Sequence, residues 1–440
     1  MAESTIAAIS TALGEGGIAI VRVSGPDAVS ISTKILTRKN FDIPGRLYLT
    51  SLIDGGGNIL DRVLAVRFEA PNSYTGEDIV EVHTHGGIFV ASLCLEMLIA
   101  NGAELAQPGE FTRRAFTGGR IDLSQAEGVL GIIKARSVEA LKASARTLGG
   151  GVSEIISNIH TKILDIQANI EINLDFPEGE VFDDAFDLAG EISECVNDLE
   201  ELLSRCEAGI IFSNGVRVTI AGRPNVGKSS LLNAILGRER AIVTEIPGTT
   251  RDIISETILI NSLPVTLSDT AGIRDTENII EAQGVKLARH AAEDGDLCLL
   301  VIDGSKDISD DERAMIDELA GKALLVINKS DLERVANVET SAPKVCVSAL
   351  EGSGIRELKQ AIYDMAVKHH TQAGLLNANV SQLNDIRESL KALREALTAE
   401  DTDVVAGLLG SARVSLMRVL GVRVGDELLD HMFSRFCVGK

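Results

Sequence analysis

Val152, Ile155, Ile156, Ile159, Ile163 and Ile166 recur at steps of one, three and four residues between polar neighbours. That spacing lines one face of a 3.6-residue helix and predicts a long amphipathic helix. Ile192, Val196, Leu199 and Leu203 repeat the stripe, with Gly209 as the expected C-cap. The period returns late in the chain at Ile386, Leu390, Leu393 and Leu397, then at Val404, Val405, Leu408 and Leu409. A further helix start is written in "DLSQAEGVLGIIKARS", where Asp122 and Ser124 are followed three residues on by Gln125 and Glu127. Neither helical block can bury its stripe alone, so the economical arrangement is one helical domain built from both.

Two stretches obey other periods. Up to about residue 118, "GIAIVRVSG", "RVLAVRFEA" and "EDIVEVHTHGG" read as strands and "IFVASLCLEMLIANG" as a helix closed by Asn-Gly, an α+β pattern. After Asn214-Gly215, strands, turns and helices alternate to about residue 370. The expected boundaries are 1–118, 119–213, 214–371 and 372–440, the third segment being inserted into the helical domain formed by the second and fourth. Insertion is natural where a domain's termini lie close together.

Composition narrows the class. The chain has 440 residues, 45% hydrophobic and 24% charged, which suits a globular protein of several domains. No apolar run approaches the roughly 18 residues of a membrane span, and "MAESTIAAIS" lacks the basic, apolar pattern of a leader. The six cysteines (94, 195, 206, 298, 346 and 437) are scattered without a CxxC pair, which points to a reducing, cytoplasmic setting. A net charge of −22 disfavours binding nucleic acid by electrostatics alone, while leaving room for a local basic patch or a basic partner.

The inserted segment carries the chemistry. "GRPNVGKS", Gly222 to Ser229, stands between a strand and a helix with the spacing G-x-x-x-x-G-K-S. Its backbone N–H groups, from Asn225, Val226 and Gly227 into Lys228, Ser229 and Ser230, can curl around phosphates; Lys228 reaches the outer phosphates and the Ser229 hydroxyl can ligate magnesium. "DTAG" (Asp269, Thr270, Ala271, Gly272) places a carboxylate near the magnesium shell and an N–H near a γ-phosphate. "NKSD" supplies Asn328, Lys329 and Asp331, and a carboxylate there can accept from the N1–H and 2-amino groups that adenine lacks together. Ser348 and Ala349 of "VCVSAL" can meet the guanine O6. Four motifs in this order predict a GTP-binding P-loop domain. "TEIPGTTRD" between the first two holds Thr244, Glu245, Ile246, Pro247, Gly248, Thr249 and Thr250, with Thr250 as the switch threonine that closes on magnesium. After DTAG stands Ile273, which can neither donate nor accept a hydrogen bond, so another residue must orient the attacking water or turnover is slow.

"GRPNVGKSSLLNAI", "TEIPGTTRD", "DTAGIRDTENIIEAQG" and the terminal "FCVGK", with "PNSYTGEDIVEVHTHGG", "QPGEFTRRAF" and "GGRIDLSQAEGV" near the start, resemble the TrmE-type family of tRNA modification GTPases from about residue 5 to the end. The resemblance implies an α/β P-loop GTPase domain inserted into an all-α helical domain and preceded by an α+β folate-binding and dimerisation domain. It implies that Glu281 orients the water, and that a potassium ion is held by the Asn225 and Thr249 side chains and the Thr244 and Ile246 carbonyls. It implies a one-carbon-substituted tetrahydrofolate at Arg22, Glu81, Arg120 and Lys440, and a catalytic role for Cys437. "CVGK" lacks the aliphatic pair and the ending of a prenylation box. The implied partners are a second copy of the chain, the FAD-binding protein MnmG (GidA) in a heterotetramer, and tRNA as substrate, with no membrane. The implied reaction is GTP-coupled addition of an aminomethyl or carboxymethylaminomethyl group to C5 of uridine 34. Two alternatives remain open at this point: an Era- or Der-like ribosome-assembly GTPase, and a GTP-binding scaffold with little turnover. His83 and His85 have no third ligand in view and read as structural.

Overall fold

The computed structural model describes residues 4–175, 187–237, 255–269, 295–319, 323–333, 335, 338, 340–367, 374–422, 429 and 432–439. They fall into two compact units, Met1–Leu130 with Leu148–Val196 and Asn384–Lys440, and Gly131–Thr147 with Asn197–Leu383.

The first unit begins with a mixed sheet. β1 (Ile6–Ile9), β2 (Ile18–Ser24), β3 (Tyr48–Ile53), β4 (Ile59–Phe68), β5 (Ile79–His85) and β6 (Glu104–Leu105) lie in the order β3-β4-β5-β2-β1-β6, antiparallel except for β1–β6. Strand side chains alternate between faces. Val21, Val23, Val80 and Val82 therefore share one face, where α1 (Ala28–Ile35) and α2 (Ile88–Ala100) cover them with Ile31, Ala91, Cys94 and Leu98. Arg22, Glu81 and His83 are sent to the opposite face. There α3 (Glu110–Thr117) seats Phe111 against Ile6 and Ala8.

The rest of this unit is helical. α4 (Leu123–Lys134) starts as its sequence signal predicts: Gln125 N donates to Asp122 Oδ1 at 2.9 Å and Asp122 N donates to Gln125 Oε1 at 3.0 Å. Two of the unpaired N-terminal donors are satisfied reciprocally. α6 (Gly151–Asp175) buries Val152, Ile156, Ile159, Ile163 and Ile166 and packs along α12 (Thr402–Val419), which buries Val405 and Leu409. Val404 and Leu397 are exposed because the core side at those helix ends is taken by their neighbours Val405 and Ala396, a step of about 100° round the helix; α11 spans Val380–Thr398.

The second unit holds β7 (Val216–Ala221), β8 (Ser255–Ile260), β9 (Leu263–Asp269), β10 (Leu297–Asp303), β11 (Ala323–Asn328) and β12 (Lys344–Cys346). Their order is β12-β11-β10-β7-β9-β8, parallel apart from the β8–β9 pair. Every residue of β10 and β11 is buried, as a parallel sheet covered on both faces requires. α8 (Lys228–Leu236) and α10 (Ile355–Val367) help cover one face, and α9 (Asp310–Leu319) the other. α5 (Val138–Leu148) lies almost wholly in this unit and contributes Ala143 to the first of these cores.

Gly209 is not a C-cap. α7 (Leu188–Asn214) runs through it and stops before Gly215, whose φ is +75°. A Cβ at Gly209 would stand 1.8 Å from the Leu376 carbonyl oxygen, so glycine is there to admit the chain that follows α10. That chain is tied down by Arg205 Nε donating to Gly374 O at 2.8 Å and Asn377 N donating to Thr147 Oγ1 at 2.7 Å. On the same helix the buried residue is Leu202 rather than Leu203, since the stripe steps three residues from Leu199 instead of four. None of the six cysteines is in a disulfide; four are buried and two, Cys346 and Cys437, exposed. Among the described residues, no helix is long and apolar enough to cross a membrane.

Gly209→Ala should lower the stability of the second unit by about 1–3 kcal/mol through overpacking. Chemical denaturation should show a lower midpoint for that unit, with the first unit's transition unmoved.

Candidate functional site

The second unit's sheet directs its motifs to the carboxyl ends of adjacent parallel strands, where open α/β sheets bind ligands. β7 runs into the loop 222–227, and α8 opens at Lys228. Gly222 (φ +144°) and Gly227 (φ +97°) hold this loop: a Cβ on the first would meet Val301 O at 2.3 Å, and on the second Asn328 Nδ2 at 2.3 Å. Asn225 takes φ +66° without being glycine. The loop is thus a tight concavity whose N–H groups lead into a helix N-terminus, an arrangement suited to anions. Lys228 Nζ donates to the carbonyls of Gly222 and Arg223, each at 3.0 Å. Val226 is buried, whereas Ser229 and Ser230 are exposed in the first turn of α8. Asp269 ends β9 as the register partner of Ile220, so its backbone lies beside the start of the loop.

The residues expected from the sequence to meet the base converge from two strand ends. Asn328 Nδ2 donates to Val226 O at 2.8 Å, and Ala349 N donates to Asn328 Oδ1 at 3.0 Å, so the Ala349 N–H is engaged with Asn328. Ser348 Oγ donates to Asp331 Oδ1 at 2.5 Å and leaves that carboxylate exposed. Lys329 (φ +64°) sends Nζ to Asp303 Oδ2 at 2.6 Å. The residues present therefore fit a nucleotide with a phosphate tail and a base carrying two adjacent donors. Thr244, Glu245, Ile246, Pro247, Gly248, Thr249, Thr250, Thr270, Ala271, Gly272, Glu281 and Lys440 lie outside the described residues.

In the first unit, β-sheet register sets Arg22 opposite Glu81. Arg22 Nε donates to Glu81 Oε1 at 2.9 Å, and the guanidinium lies over the rings of Tyr74 and Phe111, 5.5 and 5.6 Å from their centroids. His83 Nε2 stands 3.4 Å from Glu81 Oε2. Burial alone would push Glu81 up, but His83 and Arg22 outweigh it and hold the carboxyl below its usual range. Burial raises the Tyr74 phenol, whose oxygen pairs with Thr112 Oγ1 at 2.9 Å. The Arg120 stem lies against Gly76, 3.2 Å from where a Cβ would be. Arg22 and Glu81 are brought into direct contact; Arg120 joins them through the 74–76 loop rather than by touching either. A planar ligand with polar edges suits this flat, charged and aromatic surface.

The chain's end is strapped to the same sheet. Phe436 is buried beside Phe433, Gly109 N donates to Cys437 O at 3.4 Å, and Ser10 Oγ donates to Gly439 O at 2.9 Å. Ser10 follows β1, whose Ala8 is the register partner of Arg22. Cys437 itself is exposed. Among the described residues, no group of three His, Cys, Asp or Glu side chains could hold a metal, and His85 pairs with Asp61 at 2.6 Å.

Tyr74, Phe111 and Arg114 were not singled out by sequence reasoning. Arg114 is buried, with NH1 donating to Ser4 O at 2.8 Å and NH2 to Glu110 Oε1 at 3.0 Å. The i,i+4 spacing of Glu110 and Arg114 on a short helix was the available signal. For the two rings there was none, since their partner guanidinium is distant in sequence.

Residues 5–120 match the model of the GTP-binding protein TrmE N-terminus, and residues 123–437 that of the MnmE helical domain. Among curated relatives, the tRNA modification GTPase MnmE of Carboxydothermus hydrogenoformans is 42% identical and covers 100% of both chains. That of Geobacter sulfurreducens is 42% identical over 100% of this chain and 99% of its own, and that of Bacillus subtilis 37% identical over 99% and 100%.

Glu81's lowered value gives its ion pair a definite pH signature. Its contribution is complete above the ordinary glutamate pKa of about 4.3 and is lost as the pH falls through the folded-state value. Denaturant unfolding of the first unit across that acid range should show this loss in the wild type, and Glu81→Gln should be weaker at neutral pH with that component absent.

Proposed function

The chain belongs to the MnmE family of tRNA modification GTPases, and from that premise we propose that it hydrolyses GTP in its second unit as part of the modification of wobble uridine in tRNA. The observation that carries the reading is the phosphate cradle locked to the base loop: Gly227 without a side chain, and Asn328 Nδ2 bonded to Val226 O across it at 2.8 Å. Phosphoryl transfer asks mainly for positioning and for charge stabilisation. In this assignment Lys228 and the α8 N-terminus orient the β- and γ-phosphates, and Asp331 selects guanine. Glu281 takes the place of the missing glutamine and orients the attacking water.

Magnesium, held by Ser229 and Thr250 with Asp269 nearby, would neutralise charge on the β- and γ-oxygens. Potassium, held by Asn225, Thr244, Ile246 and Thr249, would add a second positive charge to the developing transition state. The exposure of Asn225 on the 222–227 loop, with a left-handed backbone, supports that role.

The first unit, in our reading, binds a one-carbon-substituted tetrahydrofolate, with Arg22, Glu81, Arg120 and Lys440 as its holders and the folate as the one-carbon source. The Arg22–Glu81 pair under Tyr74 and Phe111 supports this, as does the strapping of the Cys437 segment to the same sheet. The domain arrangement we propose is the inserted one, with boundaries at 118, 213 and 371. A homodimer through the N-terminal sheet is supported by Leu49 and Leu64, exposed register partners on its outer face. The same reading takes MnmG as the FAD-carrying partner in a cytoplasmic heterotetramer, adding an aminomethyl or carboxymethylaminomethyl group at C5 of uridine 34.

Turnover of GTP should be fast and should rise with protein concentration in potassium, and be slow in sodium at matched ionic strength. Equal slow rates in both salts would remove the potassium assignment. Glu281→Ala should lower kcat by about 10²–10⁴-fold with little change in GTP affinity; unchanged turnover would exclude Glu281 as the water-orienting group.

A further inference from the structure

Asp303 was not singled out by any motif; it reads as the last residue of a buried strand. In the sheet it is the register partner of Asn328, so its side chain stands beside the base-recognition turn. Asp303 is 8% exposed. Its Oδ1 accepts from Ser305 N at 3.1 Å and Ser305 Oγ at 2.7 Å, while Oδ2 takes Lys329 Nζ at 2.6 Å, with Lys306 Nζ further off at 3.9 Å. A carboxylate buried this far is kept only where such partners answer it. Burial would push Asp303 up, but Lys329 and Ser305 outweigh it and hold it below the usual range.

The Lys329 backbone needs holding. Its φ of +64° is left-handed, a region that residues with a Cβ avoid and that persists only where the surroundings over-determine it. On either side the turn is pinned by neutral bonds: Gly304 N donates to Asn328 O at 2.8 Å and Ser330 N to Val347 O at 3.0 Å. At Lys329 itself the carbonyl accepts from Leu332 N at 3.0 Å, and the side chain adds the charged bond to Asp303 at 2.6 Å. Two residues on stands Asp331, whose carboxylate must meet two base donors at hydrogen-bonding distance together, a geometry that small displacements spoil.

We propose that Asp303 is a positioning residue of the guanine pocket: it anchors Lys329, and through the Lys329 backbone it fixes where Asp331 meets the base. This deepens the GTP reading and rests on it.

The test uses the full chain and measures dissociation constants for GDP and for inosine diphosphate, which lacks the 2-amino donor. The proteins are the wild type, Asp303→Asn, Lys329→Met and the double variant. Asparagine keeps an oxygen for Ser305 and turns a donor, instead of an acceptor, toward Lys329. Asp303→Asn should weaken GDP about tenfold, the scale of one charge-assisted bond, and should weaken inosine diphosphate less, so that the preference between the two shrinks. The double variant should be no worse than the poorer single variant, because both changes break one contact.

An unchanged GDP preference in folded Asp303→Asn would overturn the proposal, and so would losses that add fully in the double variant. If Asp303→Asn fails to fold by its thermal melt, Lys329→Met decides: retention of the wild-type preference overturns the proposal, and its loss supports it. A wild type that binds ATP as tightly as GTP would instead overturn the guanine reading itself.

Discussion

The amide of Asn328, donating to the Val226 carbonyl across a residue that has no side chain, is the contact on which the second unit's site depends. The phosphate loop leaves β7 and the base loop leaves β11, and β10 lies between them in the sheet. Parallel strands covered on both faces deliver loops to the same edge but do not join them. The join has to be made by a side chain reaching over, and Asn328 makes it by donating Nδ2 to Val226 O, while its Oδ1 accepts from Ala349 N of the loop after β12 and holds the amide in place. Any side chain at 227 would occupy the space of that amide. One hydrogen-bonding residue and one glycine therefore fix the distance between these two loops.

The first unit solves a different problem by a related route. Its sheet buries one face under two helices and must make the other face useful. Strand alternation alone sends Arg22, Glu81 and His83 outward, and antiparallel register sets Arg22 against Glu81. Two aromatic rings from outside the sheet then lie against the guanidinium. The charged pair is thereby held in one geometry on a rigid strand floor, which loops alone would hold less well. The final segment is brought to that floor by backbone hydrogen bonds and by the burial of Phe436, so the position of Cys437 does not depend on its own side chain.

Periodicity made the elements legible. The Ile156–Ile159–Ile163 stripe and the Asp122–Gln125 cap read correctly because each is a local consequence of its own spacing. The phosphate loop was legible for the same reason, being a contiguous word. Gly209 misled because a glycine in a helix is ambiguous: it ends a helix or lets another chain approach, and only the Leu376 carbonyl decides which. Asp303, Tyr74 and Phe111 were illegible because their partners are strand neighbours or loops far away in sequence. Resemblance supplied roles, such as that assigned to Arg22, which spacing could not.

The chain's charge bears on how the work is divided under the proposed function. A net charge of −22 repels a triphosphate at long range. The cradle avoids the difficulty by using backbone N–H groups and a helix N-terminus, whose partial charges do not count toward the total. A tRNA backbone presents a different demand: affinity for it comes largely from lysine and arginine displacing counterions. In the first unit, Arg22 is engaged with Glu81 and Arg114 with Glu77 and Glu110. Cations already answered by carboxylates position small ligands well and draw in polyanions poorly. Arg22 and Arg114 are therefore fitted to hold the sheet face in one geometry, and neither is suited to the counterion displacement that a nucleic-acid backbone asks for.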